Sequence, residues 1–356
     1  MYKLHDPRVK GRCSHSLVDI IILSVLAVIS GAESYDAIEE FGKIHHEKLK
    51  KKLTLRNGIP SHDTINRLFQ SIDFRHFESL FAEWASQFKS SATEKVIAVD
   101  GKAVRGSKDT FNDKSPIHLV HAWSVENGIC LGQYQTECKS NEITAIPQLL
   151  DMLVLDDAVI TIDAMGTQTA IAKKITEGGA NYILALKGNQ GTLRQDAELL
   201  TKVSKPVAEI ETFDKGHGRI ETRRCQIYLP DEYILQNHDW PGLKTIVKLT
   251  ATRYIVQDGS ESTETRYYIS SLDQNQPFDK YIRDHWAVEN SLHWVLDMSF
   301  REDSQRKRAG NSAQNFALVR KFALNILKKD KGKGSLVTKR LKAGWNIDYL
   351  FSLIAI

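Results

Sequence analysis

Val96-Ile-Ala-Val-Asp100 has the pattern of a short apolar strand that ends in a carboxylate. The same pattern returns at Val159-Ile-Thr-Ile-Asp163. A carboxylate at the end of a buried strand is unfavourable unless another group compensates its charge. Taken singly, either aspartate is typical of a turn or cap residue. Together they indicate a shared site, and hard cations such as Mg²⁺ prefer carboxylate oxygens.

The elements around these two stretches follow a fixed order. The patterns predict strands at 96–100, 117–125, 129–136, 158–163 and 182–186, and helices at 143–153 and 167–177. Glu126-Asn-Gly128 supplies a turn between the second and third strands. This order, βββαβαβ, predicts an α/β fold of RNase H-like type, with a mixed sheet flanked by helices. Its first and fourth strands are neighbours, which would bring Asp100 and Asp163 face to face.

The rest of the chain divides into segments of different character. We expect a helical N-terminal domain over 1–90, the first part of the core over 91–190, a β-rich insertion over 191–278, and core helices over 279–356. Leu17 to Ile29 is too short to span a bilayer and contains Asp19, so it predicts a buried helix that begins a run of helices to Phe88. In the insertion we expect three strands, 220–229, 243–256 and 263–271, and no further alternation of strands and helices.

The N-terminal segment also carries a weak signal for nucleic-acid binding. Ser61 is a predicted N-cap, and the stretch Pro60-Ser-His-Asp-Thr-Ile-Asn-Arg-Leu-Phe resembles the second helix of a helix-turn-helix pair. Helix pairs that only pack against each other are commoner. We therefore expect this domain to contact DNA without assigning the contact to that helix.

A third carboxylate is expected from a helix near the C-terminal end of the core. Helical spacing places His285, Glu289 and His293 on one face, and such a helix would pack across the strand ends. Two ions roughly 4 Å apart, held by three carboxylates, could activate a water or 3′-hydroxyl and stabilise the departing oxygen at phosphorus. We therefore take Asp100, Asp163 and Glu289 as the candidate set.

Composition narrows the possible partners and ligands. The chain has 356 residues, 42% of them hydrophobic, and a net charge of only +4, so bulk charge does not identify a nucleic-acid partner. Its four cysteines are scattered without a CxxC pair, which argues against structural zinc or a disulfide framework and indicates a cytoplasmic location. Basic residues cluster, which fits phosphate contacts as well as solvated surfaces: Lys3, Arg8, Lys10, Arg12; Lys48, Lys50, Lys51, Lys52; Arg301, Arg306, Lys307, Arg308; Arg320, Lys321, Lys328, Lys329, Lys331, Lys333.

Four ordered motifs carry a resemblance to a known family that spans nearly the whole chain. They are Val99-Asp-Gly-Lys-Ala-Val-Arg-Gly-Ser107, Thr161-Ile-Asp-Ala-Met-Gly-Thr-Gln168, Leu184-Ala-Leu-Lys-Gly-Asn-Gln190 and His285-Trp-Ala-Val-Glu-Asn-Ser-Leu-His-Trp-Val-Leu-Asp297. Together they resemble the DDE transposases of the ISAs1 family, which belongs to the wider IS4-type group and includes the H-repeat-associated proteins.

The resemblance implies an activity, a cofactor and partners. It implies a transposase that cleaves DNA at element ends and transfers strands into target DNA. Asp100, Asp163 and Glu289 would be the catalytic and metal-binding triad for two Mg²⁺ or Mn²⁺ ions. The implied partners are double-stranded DNA and, on DNA, a second copy of the chain as a homodimer. No membrane is involved, and the implied location is the cytoplasm, in association with the nucleoid.

The helix that carries Glu289 departs from the wider group. That group has Tyr, Arg and Lys at set offsets from the Glu, whereas here His285 stands at the Arg position and Leu296 at the Lys position. Cations that could take over the phosphate-gripping roles are Arg283, His293, Arg301, Arg306 and Arg308.

Other cations are expected at the carboxyl ends of core strands, where substrate should bind. Lys102 and Arg105 follow the first Asp, and Lys187 follows the strand that ends at Leu186, so we assign them to the DNA backbone. Solvated surface residues would show the same pattern. His217 and Arg219 in the Gly-rich turn of the insertion could meet a DNA end, or form an ordinary hairpin.

Two other functions remain compatible with these residues. One is a nuclease of the same fold that hydrolyses DNA or an RNA–DNA hybrid without strand transfer. The insertion and the N-terminal helices favour a transposase, since a hybrid nuclease needs neither. The other is a DNA-binding protein that has lost catalysis. The complete set of three carboxylates argues against that loss, because their charges are unfavourable without a cation.

Overall fold

The computed structural model describes residues 2–9, 11–88, 95–136, 142–216 and 218–354. Nine strands of these ranges form one sheet. The strands are β1 Lys95–Ala103, β2 His118–Ser124, β3 Ile129–Gln135, β4 Ala158–Ile162, β5 Asn181–Leu186, β6 Ala208–Gly216, β7 Arg219–Tyr228, β8 Thr245–Ile255 and β9 Glu261–Ser270.

Helices cover both faces of this sheet and form the N-terminal region. They are α1 Leu17–Ile29, α2 Tyr35–Ile44, α3 His46–Leu49, α4 His62–Ser71, α5 Phe74–Ala85, α6 Glu142–Asp151, α7 Thr169–Glu177, α8 Gly191–Val203, α9 Glu232–Asn237, α10 Phe278–His285, α11 Trp294–Phe300, α12 Ser312–Lys329, α13 Leu336–Trp345 and α14 Ile347–Ile354. No helix within the described ranges is both long enough and apolar enough to cross a bilayer.

The sheet has the strand order of the RNase H-like fold. Its order is β3-β2-β1-β4-β5-β9-β8-β7-β6. The first three strands form an antiparallel meander, while β4 runs parallel to both β1 and β5. The predicted βββαβαβ order and the pairing of the first strand with the fourth are therefore confirmed.

The expectation that strands and helices stop alternating after residue 188 was wrong. Helix α8 and strand β6 both lie there, and β9 pairs antiparallel with β5, so the β-rich segment continues the core sheet. Strand β6 was missed because its residues are half-buried or exposed throughout, which leaves little apolar alternation to recognise. Helix α8 buries only a narrow stripe, Leu193, Ala197 and Leu200 with Thr201.

The two faces of the sheet pack against different helices. Ala98 and Trp123 join the core that α1, α4, α5 and α12 form on one face. Val99 joins the core of α6 and α7 on the other. Because side chains alternate along a strand, Asp100 points to the same face as Ala98.

Helix α1 is buried, as its apolar run predicts. Its one acidic residue, Asp19, is 7% exposed. The Asp19 carboxylate accepts hydrogen bonds from the backbone N–H groups of Thr54 and Leu55, at 3.3 and 3.1 Å. These bonds satisfy a buried charge and tie the loop after α3 to α1. At α4, the Ser61 hydroxyl accepts from the Thr64 N–H, so the predicted N-cap is confirmed.

Candidate active site

Two aspartates lie side by side where the parallel pairing of β1 with β4 ends. The prediction that Asp100 ends its strand was wrong, because β1 continues to Ala103 in its pairing with β2. The ladder between β1 and β4 ends at the pair Val99 and Ile162, so Asp100 and Asp163 are the next residues on each strand. Both line one cavity of about 490 Å³. The Asp163 carboxylate accepts hydrogen bonds from the backbone N–H groups of Met165, at 3.1 Å, and Gly166, at 3.4 Å, in the loop that leads to α7.

Glu289 reaches the same cavity from the helical segment that packs across the strand ends. The segment is not the continuous α-helix that the spacing predicts. Residues Glu289–His293 form a π-helical turn between α10 and α11. Such turns widen a helix locally and are frequent at functional sites. Glu289 is solvent-exposed, while His293, four residues later, is buried.

The two histidines of this segment contact core strands. The Nδ1 atom of His285 lies 3.0 Å from the Thr161 hydroxyl on β4. The Nε2 atom of His293 lies 3.0 Å from Nδ1 of His121 on β2, and its Nδ1 lies 3.6 Å from the Asp100 carboxylate. Burial lowers the pKa of both His285 and His293, the latter to about 3. The half-buried imidazole of His285 and the buried imidazole of His293 hold the segment against the sheet, and His293 has little access to DNA.

Asp100 sits in an unfavourable electrostatic environment. Burial, and then the charges of Asp163, Glu142 and Glu289, raise its pKa to about 7, although a hydrogen bond from the Gly101 N–H opposes the shift. Glu142 approaches from the opposite face of β1, where it pairs with His118 and packs against Gly101. A side chain at Gly101 would collide with this pair. Negative charge is therefore concentrated around Asp100.

Lys102 is buried, although a side chain that contacts DNA should be exposed. Its side chain is 8% exposed, and its amine lies 2.7 Å from Asp297, 3.2 Å from Asp303 and 3.5 Å from Glu302. The alternation of β1 explains this, because Lys102 points into the same covered face as Asp100. Its amine is enclosed by carboxylates and is not available to a phosphate.

The other predicted cations are spread more widely. Lys187 is exposed and lines the cavity with His285. Arg105 is exposed and pairs with Asp303 at 3.5 Å, and Arg283 pairs with Asp214 on β6 at 2.6 Å. Arg219 and Arg306 are exposed, and Arg308 donates to the Gly106 carbonyl at 3.5 Å. None of these five arginines lines the cavity. His217 lies outside the described residues.

Several cavity residues had no recognisable signal in the sequence. Arg194 comes from α8, and Arg266 and Tyr267 come from β9. The guanidinium carbon of Arg266 lies 5.4 Å from the centroid of the Trp286 ring. Trp286 is 45% exposed. Arg266 reaches the site because β9 pairs with β5, which sequence spacing alone does not predict.

The donor set suits a hard divalent cation. Within the described ranges, no three His, Cys, Asp or Glu side chains are grouped closely enough to hold an ion by themselves. Mg²⁺ usually takes only one or two protein carboxylates and completes its shell with waters and substrate phosphates, so three oxygen donors around one cavity fit it. The raised pKa of Asp100 marks a carboxylate whose charge a cation would compensate.

Comparison with known proteins defines the class. Residues 91–326 match the family described as "Transposase DDE domain", and residues 1–85 match the family described as "DDE_Tnp_1-associated". The chain therefore belongs to the DDE transposase family, as its four motifs predict.

Its relatives include H-repeat-associated proteins. It is 43% identical to "Putative transposase YncI" of Escherichia coli O157:H7, over 98% of this chain and 92% of that protein. It is 41% identical to "H repeat-associated putative transposase YhhI" of Escherichia coli strain K12, over 98% and 95%. Among solved structures, a cryo-EM structure of a piggyBac transposase synaptic complex with hairpin DNA aligns with a TM-score of 0.46 and 10% identity, over 100% of this chain and 76% of that one.

Proposed function

We propose that this transposase cleaves DNA at the ends of its element and transfers the 3′ ends into target DNA. Asp100, Asp163 and Glu289 hold the divalent ions, Mg²⁺ or Mn²⁺, on which both steps depend. The observation that carries the proposal is that these three carboxylates, from β1, from the end of β4 and from the π-helical turn, line one cavity. Two bound ions would supply activation of the attacking hydroxyl and stabilisation of the leaving oxygen.

The chain's own cations bind and orient the phosphodiester. Lys187 and Arg194 lie on the cavity wall, and Arg194 is only partly engaged by Glu198, at 2.9 Å. Exposed cations at the ends of core strands attract the DNA backbone and fix its register without reading sequence. We assign these two side chains, ahead of Lys102 and His293, to backbone contact beside the carboxylates.

The partners follow from the same chemistry. Double-stranded DNA is the substrate, as element end and as target, and the N-terminal helical part, residues 1–90, supplies additional contacts. Strand transfer joins two element ends to one target, so we propose that two copies of the chain assemble on DNA. Membership of the ISAs1 group within the IS4-type transposases belongs to this proposal.

The test is Asp163→Asn in the full chain, assayed on DNA that carries the element's terminal repeats. We expect Mg²⁺-dependent cleavage to fall to background while the DNA dissociation constant changes less than about twofold, because one carboxylate contributes little to backbone binding. Asp156→Asn is the matched control. Asp156 is exposed in the loop before β4, so its replacement should leave cleavage intact.

The same assay separates the alternatives. Joined products in the unsubstituted chain support the transposase, whereas cleavage without joining would indicate a nuclease. Equal loss of cleavage and DNA binding in Asp163→Asn would show that Asp163 is structural. No cleavage by the unsubstituted chain on its own repeats would indicate an inactive relative.

A further inference from the structure

A buried group of charges lies beside the cavity, where β1 continues past Asp100. Lys102 stands at its centre, surrounded by the carboxylates of Asp297, Asp303 and Glu302. Glu302 is completely buried, and its Oε1 atom also lies 3.7 Å from an Arg320 nitrogen and 3.9 Å from the Lys321 amine. We call Lys102, Asp297, Glu302, Asp303, Arg320 and Lys321 the buried charge cluster.

The buried charge cluster joins two elements that carry different candidate ligands. Lys102 is on β1, two residues after Asp100. Asp297 is on α11, which continues directly from the π-helical turn that begins with Glu289. The ion pair between Lys102 and Asp297, at 2.7 Å, therefore connects the Asp100 strand to the Glu289 helix by one direct contact.

The loops that follow β1 and α11 also pack against each other beside the buried charge cluster. Arg301 ends α11 in a left-handed conformation, with φ of 47°, which turns the chain back toward β1. The Asp303 carboxylate then accepts a hydrogen bond from the Arg105 N–H at 3.0 Å. Gly106 packs against the backbone of Asp303 and Gln305 so closely that a side chain would collide with it. The loop that follows β1 and the loop that follows α11 are therefore in direct backbone contact.

We propose that Lys102 is a positioning residue that fixes the separation of Asp100 and Glu289 through its contacts with Asp297 and Glu302. This inference rests on the proposed function, in which both carboxylates bind metal. Stability alone does not require such a cluster, because apolar side chains of similar volume often replace buried ion pairs without loss. Three carboxylates around the Lys102 amine fix the position of α11 relative to β1, because ion pairs depend on direction and apolar packing does not.

The experiment measures Mn²⁺ binding to the full chain by the loss of the free-ion signal in electron paramagnetic resonance. We expect Lys102→Met to raise the Mn²⁺ dissociation constant at least about tenfold, the size seen when groups that orient metal ligands are removed. DNA binding should stay within about twofold. Lys102→Arg, which keeps the charge, should lie closer to the unsubstituted chain. Lys173→Met, at an exposed position on α7, is the matched control.

Each outcome decides the inference. If Lys102→Met folds and its Mn²⁺ affinity is unchanged, Lys102 only stabilises the fold and the inference is overturned. Weaker DNA binding with unchanged Mn²⁺ affinity would overturn it in favour of a backbone contact. If Lys102→Met does not fold, Asp297→Asn replaces it, since Asp297 is one-third exposed and Lys102 keeps Glu302 and Asp303 as partners. That variant should also weaken Mn²⁺ binding, and unchanged affinity would again refute the inference.

Failure of the inference is distinguishable from failure of the proposed function. Asp163→Asn, measured in parallel, should weaken Mn²⁺ binding whatever Lys102 does. Weaker binding in Asp163→Asn alone would leave the metal site in place and remove only the positioning role. No effect in Asp163→Asn would remove the metal site, and the positioning role with it.

Discussion

The imidazole Nδ1 of His285 lies 3.0 Å from the hydroxyl oxygen of Thr161, and this contact joins the end of α10 to β4 two residues before Asp163. Thr161 is 2% exposed, so the contact is shielded from water. Glu289 follows His285 by four residues, at the start of the π-helical turn. The contact therefore sets where the helical segment begins to cross the strand ends.

Thr161→Val tests this contact, because valine has nearly the same shape and cannot hydrogen-bond. We expect a loss of about 1–2 kcal/mol in the free energy of unfolding, since the His285 imidazole loses its hydrogen-bond partner on the buried strand. We also expect cleavage to slow about tenfold, because a small displacement of a catalytic group is amplified in the rate. Urea denaturation and a cleavage time course measure the two effects.

Thr263→Val, at an exposed position on β9, provides the comparison and should change neither quantity. Slower cleavage in both variants would mean that loss of a hydroxyl on a strand is enough, and the contact with His285 would have no special role.

Binding of Mn²⁺ should depend on pH through Asp100. Its pKa is raised to about 7, so the carboxyl is mostly protonated below that pH and must lose a proton to bind a cation. Affinity should therefore fall as the pH decreases below 7, by up to about tenfold per pH unit for one displaced proton, and level off above 7. Titrations of the full chain with Mn²⁺ at several values from about pH 5.5 to about pH 8.5 measure this dependence.

An affinity that stays constant from about pH 5.5 to 7 would contradict this account, because an ordinary aspartate is already ionised there. Asp100→Asn should bind Mn²⁺ weakly at every pH and lose the dependence.

The proximity of Asp100 and Asp163 could be predicted from the sequence, because each of them belongs to a short local pattern. Asp100 and Asp163 each follow an apolar stretch of sequence, and the order of elements places those two stretches on neighbouring strands. The burial of Lys102 was not predictable, since it depends on carboxylates almost 200 positions away, brought back by the turn at Arg301. The π-helical turn was also missed, because a single inserted residue barely changes helical spacing.

Glu78 on α5 should make stability depend on pH away from the cavity. It is fully buried, and burial raises its pKa from the ordinary 4.5 to about 7, although Arg75 and Gln133 donate to it at 3.1 and 3.2 Å. The folded state thus holds a proton that the unfolded state releases. Stability should fall as the pH rises from about 4.5 through 7 and then stay level.

Glu78→Gln removes that titration. We expect the variant to be more stable than the unsubstituted chain above pH 7, by up to about 3 kcal/mol, with the difference vanishing toward pH 4.5. Thermal unfolding across this range measures it, and Glu83→Gln on the exposed side of α5 is the control. A variant that is less stable at pH 8 would show that the ionised carboxylate is needed by Arg75.

Asn325 on α12 completes the hydrogen bonding of the edge strand β3. Its side chain accepts from the Cys130 N–H at 2.9 Å and donates to the Cys130 carbonyl at 2.8 Å, in a fully buried position. Asn325→Leu keeps the branched shape of the side chain but leaves two buried backbone groups unpaired, so we expect a loss of about 2–4 kcal/mol in the free energy of unfolding. Urea denaturation measures it against Asn275→Leu, at an exposed position, which should be nearly neutral. Equal stability of the two variants would mean that water reaches Cys130 and that α12 is held to the sheet by apolar packing alone.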